Sequence, residues 1–261
     1  MPAAGNRSAD DEMTSNTATQ PAVDTFGIDG CRGGWVWCGL IEGRWQGGLV
    51  ERLADLSTAL EHAALALIDM PIGLLDTGPG ERGCDREARA LLGRPRASSV
   101  FRAPCRDALA ASDYATACGI NRQQTGVALS IQTWNIVPKI RELDALLNSQ
   151  PSLQGRLREA HPELCLYGLA GGRPMAHNKR TVAGRRERVA LLQRLQPACA
   201  ALANELTART PRRQLAPDDA IDAAALAVSA ALLTERASEC VPSRPERDQR
   251  GLPMEMVYAL L

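Results

Sequence analysis

The sequence contains few lysines, and it has no overall excess of positive charge. Only Lys139 and Lys179 are lysines, so arginine provides nearly all of the 30 basic side chains. Aspartate and glutamate also number 30, which gives a formal net charge of zero. This balance excludes a uniformly basic nucleic-acid-binding protein but is compatible with a locally basic face.

The sequence also lacks the patterns of membrane, secreted and zinc-binding proteins. No apolar run reaches the ~20 residues that a membrane-spanning helix needs. The acidic residues at 10–12 and the absence of an apolar core near the N-terminus argue against a secretory signal. No two of the eight cysteines are separated by only two residues, so zinc knuckles and paired redox thiols are excluded. Free thiols buried in apolar runs predict a cytoplasmic protein.

Several catalytic motifs are also absent. The chain has no Gly-x-Ser-x-Gly nucleophile elbow and no P-loop, and Gly30-Cys-Arg-Gly-Gly34 lacks the spacing of a dinucleotide fingerprint.

Of the three histidines, His62 falls in a predicted surface helix and is interpreted as structural. His161 and His177 flank candidate site segments, so each is a candidate for moving a proton.

Acidic residues recur where apolar runs end. The run from Thr25 ends in Asp29, and the run at 65–68 is followed at once by Asp69. A looser version of the pattern, Glu159-Ala-His-Pro-Glu163, ends in Glu163. An acid behind a buried strand is costly unless something uses it, and ligands of open α/β sheets bind beyond the carboxyl ends of the strands. These acids are therefore predicted to meet at one edge of a sheet.

A fourth acidic cluster opens a predicted helix near the end of the chain. Asp219 and Asp222 are three residues apart, so both can face the same direction. Carboxylates brought together repel one another, and a divalent ion relieves that repulsion. Oxygen ligands favour Mg²⁺ or Mn²⁺. Two such ions ~4 Å apart would stabilise the attacking and leaving oxygens of phosphodiester hydrolysis.

Except for Asp222, which lies one turn beyond a helix cap, these acids also have simpler structural explanations. Asp218 and Asp219 fit a helix cap and its first turn. Asp29 precedes a glycine and fits a turn, while Asp69 can end a strand without any ligand. Glu163 has the weakest strand context, because Pro162 precedes it. The metal hypothesis therefore depends on convergence of these side chains in space.

The pattern of apolar runs predicts an α/β domain with a mixed sheet flanked by helices. Residues 25–31, 35–41 and 44–50 predict three antiparallel strands, followed by a central strand at 65–68. A further strand is expected within 157–166, and a possible edge strand at 254–261. Predicted helices cover 55–63, 106–118, 125–149, 181–195, 198–209 and 218–235. Residues 1–23 predict a disordered tail, and 24–261 a single domain with a helical and irregular insertion around 74–125.

The insertion contains a stretch rich in arginine. Residues 78–106 carry seven arginines that are only partly offset by acids. One interpretation is a solvated helix and loop, which is the usual explanation of a charge run. The other is a segment that borders the acidic edge and contacts phosphates.

Several motifs resemble one known family, domain-of-unknown-function family 429 (DUF429). The motifs are Gly27-Ile-Asp-Gly-Cys-Arg-Gly-Gly-Trp35, Ile68-Asp-Met-Pro-Ile-Gly73, Cys84-Asp-Arg-Glu-Ala-Arg89, Ser98-Ser-Val-Phe101, Trp134-Asn-Ile-Val-Pro-Lys-Ile140, His161-Pro-Glu163, Leu169-Ala-Gly-Gly172 and Lys179-Arg-Thr181. The resemblance runs from about Phe26 to Tyr258. It implies a ribonuclease H-like fold, in which three antiparallel strands are followed by parallel ones, and a predicted nuclease activity.

The last acidic motif is also similar to that of RuvC-type Holliday-junction resolvases, in which two acids three residues apart share a metal. That similarity implies Asp29 as the first-strand acid, Asp69 as the fourth-strand acid, and Asp219 with Asp222 as the helical pair. Glu163 has no counterpart in those enzymes.

The sequence therefore predicts a nuclease that uses Mg²⁺ or Mn²⁺ and binds DNA or RNA. Arg32, Lys139, Lys179 and Arg185 are the side chains expected to face the phosphates, since a lysine can act as a point charge. The near-zero net charge favours a second hypothesis, a non-catalytic nucleic-acid-binding or scaffold protein. A third is a sugar-kinase-like ATPase, although the chain is short for the two lobes of such enzymes.

Overall fold

A computed structural model describes residues 23–78 and 80–261. Residues 1–22, where most of the predicted disordered tail lies, are outside the described residues. Within the described part of the chain, no helix is both long and apolar enough to cross a membrane.

The main sheet has five strands and is mixed, as the sequence predicts. The strands are β1 (Thr25–Cys31), β2 (Gly34–Ile41), β3 (Arg44–Val50), β4 (Leu65–Ile68) and β5 (Leu157–Glu159). Their order across the sheet is β3-β2-β1-β4-β5. The first three strands are antiparallel, whereas β4 is parallel to β1 and β5 is parallel to β4.

Helices cover both faces of this sheet. The helices are α1 (Ser57–His62), α2 (Gly83–Leu92), α3 (Tyr114–Thr125), α4 (Ile131–Ser149), α5 (Pro162–Leu169), α6 (Val182–Leu195), α7 (Pro197–Arg209) and α8 (Pro217–Leu233). Because side chains alternate along a strand, Phe26 and Ile28 of β1 join the core that contains α4. Gly27 and Asp29 point to the opposite face, where α8 packs.

Helix α8 lies unusually close to β1. A Cβ atom added to Gly27 would lie 2.1 Å from the backbone nitrogen of Ala227 and 2.3 Å from the carbonyl oxygen of Ala223. Six of the seven alanines of α8 are fully buried, and their small side chains permit this close approach. The contact fixes the first turns of α8, which carry Asp219 and Asp222, beside the end of β1.

A second, two-stranded sheet forms near the end of the chain. It pairs β6 (Glu239–Arg247) with β7 (Pro253–Tyr258) in antiparallel fashion. The expected strand at the end of the chain is present as β7, but it pairs with β6 and not with the main sheet. Sequence reasoning missed β6 because the strand is mostly exposed and contains two prolines, which are unfavourable in a central strand.

The helices of the predicted insertion differ in their bounds from the sequence prediction. The segment 106–118 is not one helix, because a short 3₁₀ turn covers Arg106–Ala110 and α3 begins only at Tyr114. Asp113 caps α3 by accepting a hydrogen bond from the Thr116 backbone N–H at 2.9 Å. Ser130 caps α4 in the same way. Capping side chains therefore set boundaries that hydrophobic periodicity alone placed incorrectly.

Candidate metal centre

Three aspartates from distant parts of the chain converge at the carboxyl end of the sheet. Asp29, Asp69 and Asp222 each offer a carboxylate oxygen, and these oxygens lie within 4.8 Å of one another. Asp29 is 6% exposed and Asp222 is 1% exposed. The convergence on which the metal hypothesis depends is therefore present for these three side chains.

Strand register and helix packing explain how the three meet. Strands β1 and β4 run parallel with Ile28 opposite Ile68, so Asp29 and Asp69 lie side by side where this parallel pairing ends. The Asp69 backbone N–H donates to the Ile28 carbonyl at 2.9 Å, which extends the pairing to this residue. Asp222 lies in the second turn of α8. The close packing of α8 against β1 places this turn at the same edge of the sheet as Asp29 and Asp69.

The three carboxylates repel one another because their negative charges lie close together in a buried site. Burial raises the pKa of Asp29 well above its usual range, and the charges of Asp69 and Asp222 raise it further. Burial is also the largest cause that raises the pKa of Asp69 to about 7, partly opposed by the nearby Lys179 ammonium. The Oδ1 atom of Asp222 is buried and has no hydrogen-bond partner. An unpartnered, buried carboxylate oxygen in such a group is suited to a cation.

Lys179 is the positive charge nearest to this centre. Its Nζ atom donates to Oδ2 of Asp222 at 2.5 Å. The side chain is 33% exposed, so it forms part of the open side of the centre, whereas Asp222 is enclosed. Lys179 was expected to face phosphates, and the structure places its ammonium against the Asp222 carboxylate.

Asp219 and Glu163 lie nearby but outside the group of three. Oδ2 of Asp219 accepts a hydrogen bond from the Ala216 backbone N–H at 3.2 Å, so this carboxylate caps its own helix. Glu163 does not follow a strand, as the sequence suggested, but lies in the first turn of α5. Its carboxylate forms a buried ion pair with Arg188, and its Oε2 atom has no partner.

Glu159 is the last residue of β5, the third of the parallel strands. The sequence analysis assigned this position to Glu163 instead. Glu159 is buried and forms an ion pair with Arg82 at 2.7 Å. Arg82 also pairs with Asp85 at 2.6 Å. Cys84, Asp85 and Glu159 form a second group with metal-ligand spacing. Because the Arg82 guanidinium already donates to both carboxylates, this group is a structural network with its own internal cation.

The seven arginines of the insertion divide between ion pairs within the fold and exposed positions, so neither sequence interpretation describes the whole segment. Arg89 and Arg102 pair with Glu81. Arg106 pairs with Asp144 and with other acids from distant segments. These ion pairs hold Arg89 and Arg106 within the fold, whereas the Arg102 side chain is 55% exposed.

The other residues expected to contact phosphates differ in their surroundings. Arg32 is exposed in the turn after β1. Arg185 is partly exposed near the start of α6, where it donates to the Arg180 carbonyl at 2.8 Å. Lys139 donates to the carbonyl of Gly34, and its Nζ lies 4.4 Å from the centroid of the Trp35 ring. Lys139 therefore stabilises the turn between β1 and β2.

The histidines named from the sequence also have defined places. Nδ1 of His161 accepts the Glu163 backbone N–H at 3.2 Å, so His161 caps α5. Burial, and next the Lys179 charge, lower the pKa of His161, so it is neutral at physiological pH. The backbone carbonyl of His177 accepts from Arg188 at 3.0 Å, and His62 ends α1.

A pH dependence follows for the metal-free protein. The pKa of Asp69 is about 7 in the folded protein, compared with an ordinary value of 3.8. The folded protein therefore binds this proton more tightly than the unfolded chain does. The stability that this proton provides is complete below pH ~4 and is lost as the pH rises through ~7. We expect Asp69 to contribute a loss on the order of 2 kcal/mol between about pH 5 and pH 7.5.

Urea denaturation in the presence of a chelator measures this effect. Asp69→Asn carries no titrating group at this position, so its stability should fall less over the same interval. Equal pH slopes for the wild type and Asp69→Asn would contradict the raised pKa.

Comparison with known proteins gives one match. A family model described as "Protein of unknown function (DUF429)" matches residues 27–247, a range that includes all three converging aspartates. No curated protein and no solved structure matches the chain. The geometry of the site therefore carries the functional argument.

Proposed function

From the premise that this chain belongs to the DUF429 family, we propose that it is a divalent-metal-dependent nuclease with a ribonuclease H-like fold. The observation that carries the proposal is the convergence of Asp29, Asp69 and Asp222 at one sheet edge. Two of these acids come from parallel strand ends and one from the second turn of a helix. Ligands of open α/β sheets are bound at this edge.

The sheet supports the finer fold assignment. Three antiparallel strands are followed along the chain by two strands that add in parallel beyond β1. This is the arrangement that the resemblance to the ribonuclease H-like fold implies. The three acids lie on β1, directly after β4 and on α8. These are the positions that the similarity to RuvC-type resolvases implies.

The chemistry of the donors fits Mg²⁺ or Mn²⁺. All three side chains of the group offer hard carboxylate oxygens, and none offers sulfur or nitrogen. Asp29, Asp69 and Asp222 would hold the ion, with the unpartnered Oδ1 of Asp222 as one available ligand atom. When bound, such an ion activates water and stabilises negative charge on phosphate oxygens.

A cavity that contains two arginines and does not include the three aspartates offers a site for part of a polyanionic substrate. The cavity has a volume of about 390 Å³ and lies between α6, α7 and the start of α8. Its walls include Arg185, Arg186, Gln193, Asn204, Thr207 and Ile221. Ile221 and Asp222 are adjacent on α8, so the cavity and the carboxylates lie on different faces of the same helix. Arginines and amide side chains suit phosphates and base edges, which favours a nucleic acid.

One observation favours a non-catalytic alternative. Lys179 already neutralises part of the charge of Asp222 without any metal. In a nucleic-acid-binding protein without catalytic activity, this ion pair could stabilise the buried carboxylates in place of a metal ion. Metal binding and cleavage separate the two proposals.

We expect Mn²⁺ to stabilise the wild-type protein against thermal unfolding. An ion that binds only the folded state at about 100 times its Kd adds about 2.7 kcal/mol of stability. Asp29→Asn should lose this gain, because the ion loses a buried ligand. Asp218→Asn is the matched control, since Asp218 is a first-turn acid of α8 outside the group of three. A similar gain in Asp29→Asn and the wild type would show that the ion binds elsewhere.

Cleavage assays test the activity itself. Purified protein with Mn²⁺ is incubated with single-stranded, duplex, hybrid and four-way-junction substrates. Cleavage of at least one substrate is expected for the wild type and Asp218→Asn, and none above background for Asp69→Asn. Binding of these substrates without cleavage would favour the non-catalytic alternative, and magnesium-dependent ATP turnover would favour the kinase-like one.

A further inference from the structure

Lys179 is held in a fixed position beside the carboxylates and is not a loose surface lysine. It lies in the segment 176–181, between α5 and α6. The backbone N–H groups of Ala176 and His177 donate to the Glu187 carboxylate at 2.8 and 2.9 Å. The same segment is anchored again where Arg188 donates to the His177 carbonyl at 3.0 Å.

The contact between this segment and α6 is also close. A Cβ atom on Gly184 would lie 2.0 Å from the Asn178 carbonyl oxygen, immediately before Lys179. Thr181 closes the turn by accepting the Gly184 backbone N–H at 3.0 Å. Helix α6 therefore positions the Lys179 ammonium where it meets Asp222.

The charges of the centre limit the number of divalent ions that it can hold. Fully ionised, the three aspartates carry three negative charges, and Lys179 returns one positive charge. One divalent ion therefore brings the sum to zero, whereas a second would leave two uncompensated positive charges in a largely buried site. Such an excess is strongly unfavourable in a site of low dielectric constant.

The neighbouring acids do not supply the missing negative charge. The charge of Glu163 is balanced by Arg188, and both side chains are almost fully buried. The Asp219 carboxylate accepts from the N-terminal backbone of α8. The Glu159 carboxylate is occupied by its ion pair with Arg82. Among the described residues, the group of three aspartates is thus matched to a single ion.

We propose that the centre holds one divalent ion together with Lys179, whose ammonium supplies the positive charge that a second ion would supply. This inference rests on the proposed nuclease function and replaces the two-ion arrangement expected from the sequence. Lys179 would contact a non-bridging phosphate oxygen from the open side of the centre. The motif Lys179-Arg-Thr181 thereby has a role in the site.

The reaction served by this arrangement is ordinary phosphodiester hydrolysis. A water oxygen bonds to phosphorus while the ester bond between phosphorus and the leaving sugar oxygen breaks. The water releases one proton to solvent, and the leaving oxygen takes up one. Lys179 keeps its proton throughout and stabilises the negative charge on the phosphate.

Counting bound Mn²⁺ tests the inference without depending on turnover. Titration calorimetry, with free Mn²⁺ followed by electron paramagnetic resonance, should find one ion per wild-type chain. Lys179→Met removes a cation that competes for Asp222, so we expect Mn²⁺ to bind at least about tenfold more tightly. Lys179→Arg keeps the charge and should bind nearly as the wild type does. Arg180→Met, which changes an exposed neighbour, is the matched control.

Cleavage provides a second readout. Loss of one preorganised donor to a developing charge typically costs about 10²–10³ in rate. Lys179→Met should therefore cleave at least about 100-fold more slowly although it binds the ion more tightly, and Lys179→Arg should retain part of the rate. A merely structural lysine would not produce tighter metal binding together with slower cleavage.

The outcomes separate this inference from the proposed function. Two Mn²⁺ ions per wild-type chain, or equal Mn²⁺ affinity in the wild type and Lys179→Met, would overturn the inference and leave the nuclease proposal standing. Absence of Mn²⁺ binding to the wild type would overturn both.

Discussion

Replacing Gly27 with alanine is expected to destabilise the protein by about 3 kcal/mol or more, at the upper end of the usual cost of overpacking. The added methyl group would meet the backbone of α8, with contacts of 2.1 Å to the Ala227 nitrogen and 2.3 Å to the Ala223 oxygen. A flexible side chain could turn away, but the backbone of a buried helix can yield only if the whole helix shifts.

A matched glycine provides the control for this experiment. Gly119 lies within α3, and a Cβ atom there would have nothing within 4 Å. Gly119→Ala should be neutral or stabilising by up to about 1 kcal/mol, because alanine favours helix. Urea denaturation measures both variants. A Gly27→Ala protein as stable as the wild type would show that α8 does not pack on β1 as described.

The same substitution connects the fold to the candidate site. Helix α8 carries Asp222, and the position of this side chain depends on the close contact at Gly27. If Gly27→Ala folds in part, a displaced α8 should separate Asp222 from Asp29. We therefore expect its stabilisation by Mn²⁺ to fall together with its stability.

Arg82→Met is the second substitution with a large expected effect. The Arg82 side chain is fully enclosed and makes ion pairs with Asp85 and Glu159 at 2.6 and 2.7 Å. It also donates to the carbonyl groups of Ile72 and Gly73. Removal of the guanidinium leaves two carboxylates buried without a counter-charge, which typically costs about 3–5 kcal/mol. Thermal or urea denaturation measures the loss.

Arg86→Met on the same helix is the control for this prediction. The Arg86 side chain is 63% exposed, and its nearest acidic partner, Glu87, is 3.9 Å away. Surface substitutions of this kind usually change stability by less than about 0.5 kcal/mol. Similar losses in the two variants would show that the buried network around Arg82 does not stabilise the fold.

The Arg82 network also explains why only one of two acidic groups is a candidate metal centre. Both groups lie at carboxyl ends of parallel strands, and both have ligand atoms within 4.8 Å of one another. In one group, a buried arginine donates to Glu159 and Asp85. In the other, Asp222 keeps a buried oxygen without a partner. Spacing alone does not separate the groups, whereas the unpartnered carboxylate oxygen of Asp222 does.

Much of the fold could be predicted from local signals in the sequence. Short apolar runs separated by glycine turns predicted β1, β2, β3 and β4 nearly at their observed bounds. Strand β6 was missed because an exposed strand with prolines has no apolar alternation. The strand expected to lead to Glu163 ends instead at Glu159, and α5 begins three residues later at Pro162. A proline at the first helical position is a common helix start.

What the sequence determined by itself is that Asp29 and Asp69 follow apolar strand residues and that acids open α8, because those positions follow from local patterns of apolar and turn residues. Only the tertiary structure decided which carboxylates keep a free oxygen. The partners come from far along the chain, with Arg82 lying 77 residues from Glu159 and Lys179 lying 43 residues from Asp222. Ion pairing depends on distance in space and on burial, neither of which local sequence patterns specify.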